Sequence, residues 1–223
     1  MNLLAIDPGL RATGLVALET EGCEIIYALT LRPPKSRANA RARVSWIVEE
    51  VGKIMEAECP LVLAVEEGYV PHYKATRPQL PPALAAQVGH VPRDDSSRDE
   101  GRATSALKTA ELRGRLVGLA DGTDCEVIGV TANEAQRALT GDGRSLPRGE
   151  RKAAMLSAAR MQFSTVKWTQ DSADALGVAL AARRKLMAEA LAEQAREGPS
   201  RHSRGLSGVG VGRERCPGAK RRA

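Results

Sequence analysis

Short apolar runs alternate with longer amphipathic stretches along this chain, and the spacing of the apolar positions separates the two kinds of element. Three short runs follow one another closely at residues 2–7, 13–19 and 23–31, with the turn sequence Asp-Pro-Gly after the first. Brief connections of this kind join antiparallel strands. We therefore predict three successive antiparallel strands at the start of the chain.

The remaining pattern alternates helices with two further strands. Residues 60–67 and 125–130 are short continuous apolar runs, which are typical of buried strands. Helical spacing of apolar positions predicts helices within residues 33–58, 105–120, 132–141, 151–163 and 169–196. Together these elements predict an α/β fold: a mixed five-stranded sheet, with three antiparallel strands and then parallel strands, flanked by helices.

Two segments interrupt the pattern and define the predicted domain organisation. Residues 71–104 contain five prolines and a polar cluster, which predicts a long loop or insertion. Residues 196–223 are rich in Gly, Ser and Arg, which predicts a disordered tail. We therefore predict one domain over residues 1–195, with the long loop at 71–104, followed by the tail.

The net charge is concentrated in that tail. The chain carries a formal charge of +6, and residues 196–223 hold eight basic and two acidic residues, so the remainder is formally neutral. A basic tail attracts polyanions without reading their sequence. A solvated tail with no selected role explains the same composition equally well.

Composition also argues against several classes of protein. There is no run of about 18 apolar residues and no evident signal peptide, so we expect a cytoplasmic protein without a membrane span. The cysteines are far apart and form no CxxC pair, which argues against a zinc site or a disulfide framework. They are Cys23, Cys59, Cys125 and Cys216. No Gly-rich phosphate loop follows a strand, which argues against an actin-like ATPase.

Four carboxylates stand at the ends of predicted elements, beside apolar runs. Asp7 ends the first strand and Glu66 lies at the end of the run 60–67. Asp171 and Asp174 are three residues apart, on one face of the start of the last helix. If the two strands are neighbours, Asp7 and Glu66 lie side by side at the edge where α/β sheets form ligand crevices. Clustered acids repel one another unless cations neutralise them, and carboxylate oxygens suit Mg²⁺ or Mn²⁺.

Each acid also has a purely structural explanation. Asp7 precedes Pro-Gly and would open a turn, and Glu66 would face solvent at a strand end. Asp171 suits the first turn of a helix, where acids interact favourably with the helix dipole. The four acids in combination favour the metal site, because two ions about 3.5–4 Å apart activate water and stabilise the leaving oxygen of a phosphodiester.

Four segments together resemble a known family. In order, "LLAIDPGLRATG", "LAVEEGYV", "SALKTAELRG" and "DSADALGVALA" resemble the main blocks of the RuvC-type Holliday junction resolvases, over roughly residues 3–185. That family has an RNase H-like fold, acts as a homodimer and cuts four-way DNA junctions with Mg²⁺. The resemblance implies a crossover junction endodeoxyribonuclease that makes paired symmetric nicks, leaving a 5′-phosphate and a 3′-hydroxyl. The loop and the basic tail are extra, and resemble viral or otherwise divergent members.

The resemblance also implies roles for individual residues. Asp7, Glu66, Asp171 and Asp174 would be the catalytic acids that bind two Mg²⁺ ions, for which Mn²⁺ would substitute. Tyr69 stands where the family has an aromatic residue that stacks on a base, and a Tyr half-buried at a loop start is an equally good explanation. The segment before the last helices would supply basic residues to the DNA, with Lys152 as the favoured catalytic one. The candidates are Arg148, Arg151 and Lys152.

Partner and substrate follow from the same resemblance. The predicted helix around residues 104–120 would form the homodimer interface, and the substrate would be branched DNA. The acids alone leave other substrates open, because flap, fork and RNA nucleases and transposase-like enzymes use the same cluster. A catalytically inactive nucleic-acid-binding relative is a further alternative.

Overall fold

A mixed sheet is the centre of the computed structural model, which describes residues 2–37, 39–67, 96–144 and 146–197. In chain order the strands are β1 (Asn2–Asp7), β2 (Thr13–Glu19), β3 (Ile25–Leu31), β4 (Val62–Glu67) and β5 (Glu126–Thr131). They lie in the order β3-β2-β1-β4-β5. β1, β2 and β3 are antiparallel, whereas β4 is parallel to β1 and β5 to β4. The predicted fold class, with three antiparallel strands followed by parallel ones, is confirmed.

Helices flank this sheet in the described part of the chain. They are α1 (Ala40–Glu58), α2 (Ser96–Val117), α3 (Ala132–Thr140), α4 (Arg148–Gln162) and α5 (Gln170–Glu197). α1 begins at Ala40, within the predicted stretch 33–58, because the Asn39 side chain caps it by accepting a hydrogen bond from the Ala42 amide at 2.8 Å. α3 begins with a capping box formed by Thr131 and Glu134.

The start of α2 corrects one sequence expectation. The helix begins at Ser96, so residues 96–104 of the segment predicted as a long loop are helical. Helix was not predicted for these residues because the stretch has no apolar periodicity, although its Arg, Glu and Ala residues have good intrinsic helix propensity. Residues 68–95 and 198–223, which hold the rest of the predicted loop, Tyr69 and nearly all of the predicted tail, lie outside the described residues.

One face of the sheet packs on α1 and α2. Alternate residues of β1 and β2, such as Leu4 and Leu15, point to this side and are fully buried. The residues of α1 and α2 that pack against these strand residues recur every three to four positions, so they lie on one face of each helix. The helix contribution to this core is Val44, Ile47, Val51, Met55, Leu112 and Leu116.

The opposite face is covered by the first half of α5. Arg183 donates hydrogen bonds to the carbonyl groups of Thr20 and Glu21, and Lys185 donates to the carbonyl of Gly129 in β5. Gly177 lets α5 pack closely against α3 and α4, because a Cβ at this position would lie 2.6 Å from the Met155 methyl and 2.8 Å from the Ala135 carbonyl oxygen.

The chain divides into a large unit, residues 1–185, and a second unit, residues 186–223. The described part of the second unit is the end of α5, residues 186–197, and the side chains of residues 187–196 are exposed. Among the described residues, no helix combines the length and the apolar character that crossing a bilayer requires.

Candidate active site

Two acids lie next to each other at one edge of the sheet. The parallel pairing of β1 with β4 aligns Ile6 with Val65, so Asp7 and Glu66 follow side by side at the carboxyl ends of their strands. Burial raises the pKa of Asp7 well above its usual range, and a side-chain hydrogen bond with Glu66 and the Glu66 charge raise it further. Asp7 therefore keeps its proton to a higher pH than an exposed aspartate would.

The first turn of α5 brings two more acids to this edge. Thr169 and Ser172 cap the helix reciprocally: the Thr169 amide donates to Ser172 Oγ at 3.0 Å, and the Ser172 amide donates to Thr169 Oγ1 at 3.1 Å. The Thr169 hydroxyl also lies 2.6 Å from the hydroxyl of Thr30 in β3, which ties the cap to the sheet. The cap thereby holds Asp171 and Asp174 over the strand ends.

Gly14 permits this approach. It pairs with Asp7 across β1 and β2, and a Cβ at this position would collide with the backbone carbonyl of Asp171 and lie 3.1 Å from the Ser172 nitrogen. Gly14 was not among the predicted site residues. A signal for it was present in the sequence, since a glycine inside a strand marks a place where another backbone comes close.

Lys152 extends from α4 into the same cluster. Its Nζ lies 3.0 Å from Asp174 Oδ2, and the side chain of Gln170 donates to the Lys152 carbonyl at 2.8 Å and to Asp174 Oδ1 at 3.3 Å. Burial raises the pKa of Asp174, as does the charge of Asp7, while the Lys152 ammonium acts in the opposite direction. Of the basic residues predicted in this segment, Lys152 is thus in contact with a predicted acid.

A further cation reaches Asp171. Arg32, just after β3, has its Nη2 at 3.6 Å from Asp171 Oδ2, and its side chain is 67% exposed. An ion pair this exposed contributes little to stability. Nothing in the sequence pattern singled out Arg32, because only the folded sheet brings the end of β3 to the start of α5.

These residues line a cleft of about 740 Å³. Asp7, Glu66, Asp171 and Asp174 all reach it, and so do Lys152 and Arg151. Three more basic residues from three other segments line the same cleft, and the sequence analysis did not name them. They are Arg11, Arg43 and Lys108. α4 begins at Arg148, but the side chain of that residue lies outside the described atoms, as does Tyr69 altogether.

The acids provide donors that suit a hard divalent cation. All four offer carboxylate oxygens, and burial together with neighbouring acids raises the pKa of Asp7 and of Asp174. Within the described ranges, no three acidic, histidine or cysteine side chains form a preassembled set of ligands. A bound cation would compete for the same carboxylate oxygens with the Asp7–Glu66 hydrogen bond and the Lys152–Asp174 ion pair.

Comparison with known proteins gives a consistent result. No protein-family model matches the chain. The chain is 27% identical over 185 residues to the crossover junction endodeoxyribonuclease RuvC of Chlorobium phaeovibrioides, covering 81% of this chain and 79% of the relative. It is also 27% identical over 184 residues to the RuvC of Herminiimonas arsenicoxydans, covering 81% and 82%.

Solved structures show the same fold. The structure of Thermus thermophilus RuvC matches with a TM-score of 0.55 and 20% identity, over 84% of this chain and 97% of that one. The structure of T. thermophilus RuvC in complex with a Holliday junction substrate matches with a TM-score of 0.54 and 19% identity, over 84% and 96%. The fold is therefore RNase H-like, and the sequence relatives carry the name of the family that the four segments resembled.

Proposed function

We propose that this chain, whose resemblance to the RuvC-type resolvases the comparisons confirm, is a metal-dependent, structure-selective endodeoxyribonuclease that resolves four-way junctions by paired symmetric nicks. One observation carries the proposal. Four carboxylates from β1, β4 and α5 line a single cleft together with Lys152 and a set of further basic residues. Acids in the centre and cations around them suit a phosphodiester with bound divalent ions.

The acids Asp7, Glu66, Asp171 and Asp174 would hold two Mg²⁺ ions, for which Mn²⁺ would substitute. When bound, such ions activate a water for in-line attack and stabilise the leaving oxygen. The chain's own residues set the geometry. Asp7 and Glu66 are fixed by their rigid strands, whereas Asp171 and Asp174 depend on the position of α5.

Lys152 would act on the scissile phosphate. Its ammonium pairs with Asp174 at 3.0 Å, and the side chain is 30% exposed, so it can turn into the cleft without a large backbone change. A positive charge there would neutralise a non-bridging phosphate oxygen as negative charge develops in the transition state.

The other basic residues of the cleft would hold the DNA backbone. Arg11, Arg43, Lys108 and Arg151 come from four separate segments, so together they surround the acids. Contacts of this kind position a nucleic acid without reading its sequence. Tyr69 as a base-stacking residue and Arg148 as a phosphate contact remain part of the proposal through the family resemblance alone.

The proposed assembly is a homodimer that pairs through α2. Leu107 is 71% exposed on this helix, and the exposed Ala110 and Gly114 continue the same stripe at helical spacing. A Cβ at Gly114 would meet no atom within 4 Å, so a second helix has room to approach. Two active sites related by a two-fold axis would match the two symmetric strands of a junction.

A cleavage assay tests the proposed function. Purified protein is incubated with Mg²⁺ and a labelled mobile four-way junction, with a linear duplex, a flap and an RNA–DNA hybrid as comparison substrates. We expect paired symmetric nicks in the junction that disappear in the Asp7→Asn variant. Asp124→Asn, an exposed acid outside the cleft, is the matched control and should cut like the unchanged protein.

The other outcomes discriminate between the alternatives. Equal cutting of all four substrates would leave a nuclease but contradict junction resolution. Junction binding without cutting, in Mg²⁺ and in Mn²⁺, would contradict the enzyme and indicate an inactive nucleic-acid-binding relative.

A further inference from the structure

Gln170 is the first residue of α5, and its side chain connects three groups of the site. Its amide Nε2 donates to the backbone carbonyl of Lys152 at 2.8 Å and to Asp174 Oδ1 at 3.3 Å. The opposite oxygen of the same carboxylate, Oδ2, is the one that Lys152 Nζ contacts at 3.0 Å. The three residues therefore form a closed ring of polar contacts between α4 and α5.

We propose that Gln170 is a positioning residue of the proposed nuclease site, one that holds Lys152 on α4 and Asp174 on α5 in a fixed mutual geometry. This inference rests on the proposed function, because it assigns a purpose within that site. Its bond to the Lys152 carbonyl fixes the backbone from which the lysine extends, and its bond to Oδ1 fixes the plane of the carboxylate. Without it, the lysine and the acid are connected only by their own ion pair.

The direction of these hydrogen bonds makes the role specific to an amide. Both partners of Nε2 are acceptors, a carbonyl and a carboxylate, so the position requires a donor of this length. Glutamate has the same shape but only acceptor oxygens when ionised. An acid at the first position of a helix nevertheless favours the helix through its dipole. Gln170→Glu should therefore keep the start of α5 helical while breaking the contacts to Lys152 and Asp174, although its negative charge beside Asp174 costs some stability.

Gln162 offers a matched control for the loss of an amide. Its Nε2 donates to the Leu139 carbonyl at 2.7 Å, so it also joins two helices through a side-chain amide. Gln162 does not line the cleft of the acids. Gln170→Leu and Gln162→Leu thus remove the same kind of bond inside and outside the site.

A double-mutant cycle observed by NMR tests the geometry without any activity measurement. Protein labelled with ¹³C at the lysine Cε is recorded in metal-free buffer, and Lys152→Arg identifies the Lys152 signal by its loss. Asp174→Asn should move that signal in the unchanged protein, because the ion pair is lost. In Gln170→Leu, the signal should move part of the way towards its Asp174→Asn position, and Asp174→Asn should then shift it less than in the unchanged protein. In Gln162→Leu, Asp174→Asn should still move the Lys152 signal by as much as it does in the unchanged protein.

Catalysis supplies the second readout. We expect Gln170→Leu and Gln170→Glu to lower the single-turnover rate of junction cleavage roughly 10- to 100-fold, the loss typical of a misplaced catalytic group, with junction affinity unchanged within about two-fold. Gln170→Leu and Gln162→Leu should lower thermal stability to a similar extent, because each removes side-chain amide hydrogen bonds between two helices, but only Gln170→Leu should slow cleavage. If Gln170 served only the fold, the two variants would slow cleavage by the same factor for the same loss in melting temperature Tm.

Each outcome is decisive for one of the two proposals. If Gln170→Leu keeps the full response of Lys152 to Asp174→Asn, or if Gln170→Glu cleaves at the unchanged rate, the positioning role is wrong. If the unchanged protein cuts no junction, the proposed function fails, and the NMR cycle alone still decides whether Gln170 holds Lys152 against Asp174.

Discussion

The buried acids of the cleft oppose stability in the absence of cations. Burial is the main cause of the raised pKa of Asp7, followed by its hydrogen bond and repulsion with Glu66. The folded chain therefore binds the Asp7 proton more tightly than the unfolded chain does. Stability consequently falls as the pH rises from the unfolded aspartate range through the raised folded pKa. A buried carboxylate that lowers stability in this way is typical of a functional site, where strongly shifted pKa values concentrate.

Asp7→Asn should therefore stabilise the metal-free protein while it abolishes cleavage. We expect Tm to rise at pH 8 by about 2–4 °C, the shift that 1 kcal/mol gives in a domain of this size. The gain should shrink as the pH is lowered towards 4.5, because Asp7 itself then becomes protonated. Differential scanning calorimetry in EDTA, at both pH values, measures this difference. A lower Tm for the variant at pH 8 would contradict the prediction.

At the scale of elements, the site depends on how closely α5 approaches β2. The capping box of Thr169 and Ser172 fixes where the helix starts, and the hydroxyl contact with Thr30 fixes it to the sheet. Gly14 then determines the distance, because any side chain there meets the Asp171 carbonyl. Together these contacts hold Asp171 and Asp174 at the edge of the sheet where Asp7 lies.

Gly14→Ala should separate the two halves of the acid cluster. Overpacking of a close contact costs about 1–3 kcal/mol, and a shift of about 1 Å in α5 would reduce cleavage by about 100-fold. Gly149→Ala is the matched control, because a Cβ there meets no atom within 4 Å and replacing a helical glycine typically stabilises by about 0.4–1 kcal/mol. Urea denaturation should show a lower free energy of unfolding for Gly14→Ala, and the cleavage assay a lower rate. Gly149→Ala should show neither loss. Equal behaviour of the two variants would rule out the close-approach role.

The segment before α4 is also held in place by an element-level contact. The fully buried side chain of Gln136 donates to the carbonyl groups of Asp142 at 3.2 Å and Arg144 at 2.7 Å. A buried amide is stable only when such partners satisfy it. The loop that leads to Arg151 and Lys152 is thereby attached to α3.

At the scale of the whole molecule, the proposed function requires two copies of the active site. A junction offers two equivalent strands, and one cleft can engage only one of them at a time. The exposed stripe of α2, formed by Leu107, Ala110 and Gly114, is apolar and narrow. Dimerisation through it would bury much of the Leu107 side chain, which is 71% exposed. The proposed homodimer thus accounts for a surface that the described single chain leaves uncovered.

Leu107→Glu should convert a dimer into monomers. A charge on each copy at the same apolar contact would be buried without a partner, which is strongly unfavourable. Met161→Glu is the control, since Met161 is 81% exposed on α4, away from the stripe. Sedimentation equilibrium measures the mass of each variant. A monomeric unchanged protein, or a Leu107→Glu variant that remains dimeric, would argue against the α2 interface.

The amino-acid sequence by itself determined the elements and the family resemblance. Short apolar runs and helical apolar spacings predict the five strands and five helices of the described residues, because burial of an apolar face is a local requirement. The motifs around Asp7, Glu66 and Asp174 also place acids at element ends. The start of α2 was predicted too late, because its first turns carry no apolar period.

Only the tertiary structure decided which side chains share the cleft. Thr30 and Thr169 are 139 positions apart, and Arg32 meets Asp171 over a similar separation. No local pattern records such contacts, because they arise from the strand order and from the approach that Gly14 allows. Gln170 is the clearest case: the sequence shows an ordinary polar residue at a helix start. The packing of α4 against α5 turns it into a bridge between Lys152 and Asp174, because a hydrogen bond depends on distance in space rather than along the chain.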